Sequence, residues 1–122
     1  MSYKDFTQMS VWELSFKLLK VIYEITKRFP QDEKYGLISV MRRAANSISH
    51  NIAEGFGRYE KRDKTRFYKI SRGSTYELIS QTLVAIELKY IENNLLKDEI
   101  INQCKNIVAE LDALILTLEK KA

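Results

Sequence analysis

Apolar residues recur along most of this chain in alternating steps of three and four, which gathers them on one face of an α-helix. Val11, Leu14, Leu18, Val21, Ile25 and Phe29 form the first stripe, with Trp12, Phe16, Leu19 and Tyr23 beside it. They predict a helix over about 10–29, with Ser10 and Glu13 as a capping box, Thr7 or Ser10 as its start and Pro30 as its end. A second helix is expected from Gln31, with Asp32 as cap and Glu33 in its first turn. Its stripe is Leu37, Met41, Ala44, Ala45, Ile48, Ile52 and Phe56, and Gly55 and Gly57 offer a left-handed carboxyl cap. Residues 58–64 read as a short charged connection or the frayed start of the third helix. That helix is predicted over about 62–91 from Phe67, Ile70, Ser71, Ser74, Leu78, Gln81, Ala85 and Leu88. Ile79, Leu83, Ile86 and Tyr90 flank the stripe, and Asn93-Asn94 closes the helix. The fourth, about 97–120, carries Ile100, Cys104, Ile107, Leu111, Leu114 and Leu118, flanked by Ile101, Val108 and Ile115.

Four long helices with short connections predict an all-α fold, an antiparallel up-down-up-down bundle, in a single domain over residues 1–122. Composition adds exclusions to this picture. Apolar content of 45% and charge of 30% fit a folded soluble protein, and one proline and four glycines leave little punctuation for strands. The first residues hold no apolar run, so no signal peptide is expected, and no stretch is apolar enough to span a membrane. A single cysteine suits a reducing cytoplasm.

Charge changes the picture more. The net charge is +4, yet residues 42–72 alone carry nine Lys/Arg against three acids, so the rest of the chain is net acidic. Arg62, Arg66, Lys69 and Arg72 follow one another at helical steps, a stripe that can track a phosphate backbone. Arg42 and Arg43 are adjacent, hence about 100° apart around a helix, and at most one faces inward. With Arg58 and Lys61 these form the candidate nucleic-acid-binding set. Tyr59, Phe67, Tyr68 and Tyr76 are interleaved and could stack bases if exposed. The rival from another class is a protein-interaction scaffold whose basic face meets an acidic protein.

Other constellations point to structure. Glu54 lies in the last turn of the second helix, where the dipole disfavours a carboxylate, so a cation is expected beside it: Arg58, Arg43 or Arg72. Glu77 is expected to be paired as well. Gly73, mid-helix, is expected to allow close approach to Ala44, Ala45 or Ala53, so that Gly73→Leu unfolds or disassembles the protein. Cys104 is expected to be a small buried hydrophobe. His50 has no Glu-x-x-His partner motif, and no glycine-rich phosphate loop occurs, so no metal, cofactor or catalytic residue is expected. The broad apolar arcs of the first and third helices exceed what one core needs and imply self-association.

Ordered motifs span nearly the whole chain: Trp12-x-x-Leu, Phe29-Pro30-x-x-Glu33-x-Tyr35-Gly36-Leu37, Arg42-Arg43-Ala44-Ala45-x-Ser47-Ile48, Asn51-Ile52-Ala53-Glu54-Gly55 and Gly73-Ser74-x-x-Glu77-Leu78. Together they resemble the bacterial four-helix-bundle proteins encoded in intervening sequences of large-subunit ribosomal RNA genes, sometimes mislabelled as ribosomal proteins. They also resemble the accessory variability proteins of diversity-generating retroelements. Met41 stands where that family commonly has glutamine, and Tyr76 replaces a frequent aliphatic residue. The resemblance implies a left-handed bundle assembled as a homopentameric barrel. For the retroelement relatives it implies a basic surface that binds nucleic acid and a reverse transcriptase.

Overall fold

The computed structural model describes residues 3–120, with α1 at Ser10–Thr26, α2 at Leu37–Phe56, α3 at Lys61–Glu87 and α4 at Asn94–Lys120. Short 3-10 turns precede α1 (Phe6–Gln8) and α2 (Gln31–Glu33), and the described residues contain no strand. Each helix packs against its neighbours in chain order, and α4 packs back on α1; the diagonal pairs do not meet. This is the arrangement of a four-helix bundle. No helix among the described residues is long and apolar enough to cross a membrane.

The helix ends differ from the expected ones, each for a local reason. Ser10 does not cap α1; Met9 holds the cap position without a side-chain bond, and the Ser10 hydroxyl lies 3.2 Å from Glu110 Oε2 on α4. The second helix does not begin at Gln31, because that segment closes into its own 3-10 turn after Pro30. Glu33 serves α2 from outside: its Oε1 accepts the Leu37 N–H at 3.0 Å, while the Tyr90 hydroxyl donates to Oε2 at 2.9 Å. Those two bonds, the backbone one first, hold the Glu33 carboxyl below its usual pKa. Neither Gly55 nor Gly57 is left-handed; Gly57 has φ −76° and its N–H is taken by the Ala53 and Glu54 carbonyls. The left-handed cap belongs instead to Lys89, φ 66°, which follows α3. There the Tyr90 N–H reaches the Ala85 carbonyl and the Lys89 N–H reaches that of Ile86, both at 2.9 Å, a Schellman closure. Asn93 does not close the third helix. Its Oδ1 accepts the Leu96 N–H at 3.0 Å, so it caps α4.

The core is built from Leu18 and Ile22 of α1, Met41, Ile48 and Ile52 of α2, Leu78 of α3, and Ile100, Cys104, Ile107 and Leu111 of α4. Helix α3 departs most from its expected stripe. Ile70 and Leu88 are exposed, and the inward face is Tyr68, Ser71, Ser74, Thr75, Leu78, Thr82 and Ala85. Thr75 and Thr82 bond back to the carbonyls of Ser71 and Leu78 at 2.9 and 2.8 Å, so their hydroxyls enter the core satisfied.

Candidate nucleic-acid interface

The α2–α3 seam comes first, because it decides which way the cations point. The two helices bury small residues, Ala44 and Ala45 on α2 and Ser71, Ser74 and Thr75 on α3, and serine hydroxyls join them. The Ser71 hydroxyl donates to the Ile48 carbonyl at 2.8 Å, and the Ser47 and Ser74 hydroxyls meet at 2.7 Å. Asn51 donates its amide to the Ser47 carbonyl and hydroxyl at 2.8 and 3.0 Å, holding Ser47 in place. At the far end the Tyr68 ring lies over Gly55, where a Cβ would stand 2.6 Å from Cε1. Gly73, by contrast, faces outward, and a Cβ added there would meet nothing within 4 Å, so it is not the close-approach glycine. The reason is angular: Ser71, Ser74 and Thr75 share the inward face of α3, and Gly73 lies between them on the outer side.

With that face committed to α2, the basic residues of α3 turn outward and toward α4. Lys69 Nζ lies 2.7 Å from Glu119 Oε2, and Arg72 Nε lies 2.5 Å from Asp112 Oδ1. The bond to Asp112 raises the Arg72 pKa above its usual value. Arg58 pairs with Glu54 at 2.7 Å, the first of the three partners expected for that carboxylate. Arg58 and Arg66 both lie over the Phe67 ring, at 4.7 and 4.6 Å from its centroid. Arg42 turns to α1, donating to Thr26 Oγ1 at 2.9 Å and lying 4.6 Å over Tyr23. Its neighbour Arg43 is exposed and lines a different groove, with Phe6, Trp12, Asn46 and His50. The eight candidate cations therefore do not form one patch.

What the fold does bring together is Arg62, Arg66 and Lys69, which line one open groove of about 480 Å³ with Asp63, Thr65 and Glu119. Lys61 lines an adjoining groove with Arg62, Thr65, Leu118 and Glu119. Among the described residues no ion pair takes Arg62, Arg66 or Arg43. Lys64 serves the fold: its ammonium donates to the last carbonyls of α2, Phe56 at 2.8 Å and Gly55 at 3.4 Å. Burial lowers its pKa. Glu77 takes part in none of the ion pairs described, contrary to the expectation that it is paired; it is exposed on α3. The acids that matter here, Asp112 and Glu119, sit on the exposed side of α4 and have no signal in its apolar pattern.

A family model described as the 23S rRNA-intervening sequence protein matches residues 7–113. The chain belongs to that family. No curated protein matches it. A crystal structure of a protein of unknown function from the S23 ribosomal protein family of Bacteroides thetaiotaomicron VPI-5482 superposes with a TM-score of 0.79 at 20% identity. The match covers 86% of this chain and 97% of the other, and at that identity it speaks for the fold alone. In this intervening-sequence protein the motif from Arg42 to Gly55 is largely a packing device: Arg42 ties α2 to α1, Ser47, held by Asn51, ties it to α3, and Gly55 admits Tyr68. Cys104 is wholly buried, as its place on the stripe of α4 predicts, and burial pushes its thiol up to about 12.

Proposed function

We propose that this intervening-sequence protein is a non-enzymatic, cytoplasmic nucleic-acid-binding protein whose contact surface is the groove of Arg62, Arg66 and Lys69. The observation that carries the reading is the convergence of those three cations on one groove, two of them without an acidic partner in the described residues. Guanidinium groups at helical spacing suit bidentate phosphate contacts, and such contacts dominate affinity for a polyanion. Arg58, Lys61 and Arg72 extend the surface around it, while Arg43 lies in a separate groove and Arg42, tied into α1, contributes least.

The chain is further proposed to fold as a left-handed up-down-up-down bundle and to assemble as a homopentamer. Its helix crossings step forward on one helix and back on the next, as in Ser47–Ser74 followed by Ile48–Ser71, and Lys69–Glu119 followed by Arg72–Asp112. Support for assembly comes from Ile70, Leu83 and Val84 of α3 and Leu88 at its end, which leave 43–53% of their surface in water. The outward Gly73 sits on the same helix. Repetition of the groove in a ring raises avidity for a long polyanion without a new contact. The same exposed residues favour the rival reading, a scaffold or accessory subunit, for instance for a reverse transcriptase.

Gel shifts with RNA and DNA across a salt series test the function. Binding should weaken steeply with salt and vanish in the Arg62→Glu/Arg66→Glu/Arg72→Glu variant. Unchanged affinity in that variant sinks the nucleic-acid reading and leaves the scaffold. Sedimentation showing a monomer at micromolar concentration removes the oligomer.

A further inference from the structure

Tyr59 is 98% exposed, the barest large hydrophobic side chain among the described residues. It stands in the connection between α2 and α3, just before Glu60 caps α3. Among the described residues its ring meets no other ring or cation and its hydroxyl bonds to nothing. The ring therefore contributes nothing to the core, and leaving a tyrosine bare is unfavourable.

The other aromatic residues of this region are occupied. Tyr68 is buried over Gly55, Phe67 lies beneath Arg58 and Arg66, and Tyr76 is approached by Arg72 at 5.1 Å. Tyr35, 86% exposed, stands next to Asp32, Glu33 and Lys34, two of which repel a phosphate backbone. Tyr59 alone combines an open ring with cations close by in sequence. Arg62 follows it by three residues and Arg66 by seven, and from Arg62 to Lys69 the groove runs about 10 Å along α3.

We infer that Tyr59 is a base-stacking residue and that the ligand of the Arg62/Arg66/Lys69 groove is a single strand with unpaired bases, an inference that rests on the proposed nucleic-acid reading. A duplex keeps its bases stacked on each other and offers a protruding tyrosine only backbone. A single strand offers an open base face to the ring while its phosphates follow Arg62, Arg66 and Lys69. Arginine contacts supply the salt-dependent part of affinity, and the stack supplies a part that salt barely touches.

Fluorescence anisotropy with a labelled mixed-sequence RNA, single-stranded and as its duplex, tests this with wild type, Tyr59→Ala, Tyr59→Trp and Arg62→Glu/Arg66→Glu. Tyr59 buries nothing, so its variants keep the fold, which circular dichroism checks. The expected result is a roughly 5- to 150-fold loss of single-strand affinity in Tyr59→Ala. Tyr59→Trp should retain affinity, the salt slope should not change, and duplex affinity should stay as it was. Equal loss on both RNA forms overturns the single-strand claim. Unaltered single-strand affinity in Tyr59→Ala, with binding lost in the arginine variant, overturns the stacking role and leaves the basic groove standing. If wild type binds neither RNA form, the nucleic-acid reading fails and takes this inference with it.

Discussion

Helix α3 joins α2 and α4 by opposite means. Toward α2 it presents Ser71, Ser74 and the Tyr68 ring, all buried, and the contacts are hydroxyl bonds of 2.7–2.8 Å and a ring laid over Gly55. Toward α4 it presents Lys69 and Arg72, whose ion pairs with Glu119 and Asp112 leave every partner 40–54% exposed. Shape fixes the first seam, and buried polar groups there must stay bonded. The second is held partly by surface charge, which salt screens and a phosphate can replace. The difference assigns stability to one side of α3 and exchangeable contacts to the other.

The largest expected effect lies on the α2 side. Gly55→Leu has no room beneath Tyr68, and even Gly55→Ala places a Cβ 2.6 Å from the ring. The alanine variant should cost about 1–3 kcal/mol by urea unfolding, the leucine variant more. A wild-type midpoint for Gly55→Leu would mean that the seam is looser than its geometry states.

The outward side should answer in the other direction. Gly73→Ala removes a mid-helix glycine with open space around it, so the chain should gain about 0.5–1 kcal/mol. This reverses the expectation that Gly73 makes the tight crossing. If Gly73→Ala leaves unfolding of the monomer improved but shrinks the particle seen by light scattering, the glycine serves contact between copies.

Buried Cys104 sharpens the contrast between interior and surface. Its thiol is raised by burial to about 12, against 9 for a free thiol. A folded-state pKa above the unfolded one stabilises fully below about 9, and that contribution is lost as pH climbs toward 12. Urea midpoints should therefore fall in alkali less for Cys104→Ala than for wild type, measured relative to each protein's neutral value. Labelling by a thiol reagent at neutral pH should proceed only at the rate of unfolding.

The smallest effects belong to the α4 acids. Neutralising them as Asp112→Asn and Glu119→Gln should barely move the melting curve and should raise RNA affinity roughly two- to five-fold each at low salt. Lower affinity in these variants would show that the pairs position the cations for binding and do not compete with the ligand.

The long-range order of the chain was legible because most of its helices follow a plain apolar period. The stripe of α4 survived intact, with Ile100, Cys104, Ile107 and Leu111 all wholly buried. Helix α3 was read less well because its inner face is built from serine and threonine, whose hydroxyls hide in back-bonds that a hydropathy pattern does not register. Helix ends failed where the capping group came from a distance, as with Glu33 at α2, or where a non-glycine residue took the left-handed position, as with Lys89. For the site, spacing put Arg62, Arg66 and Lys69 on one face correctly. It had no means of showing that Arg42 turns inward to Thr26, or that acids from α4 engage Lys69 and Arg72. Those contacts join residues 16 to 50 positions apart.

Whether the unpaired cations of the groove meet phosphates decides the nucleic-acid reading. The slope of the logarithm of RNA affinity against the logarithm of salt concentration, for wild type and Arg62→Glu/Arg66→Glu, measures that most directly. A steep wild-type slope is expected, with a slope shallower by roughly two in the variant and a large loss of affinity at low salt. Identical slopes and affinities in the two proteins would contradict it.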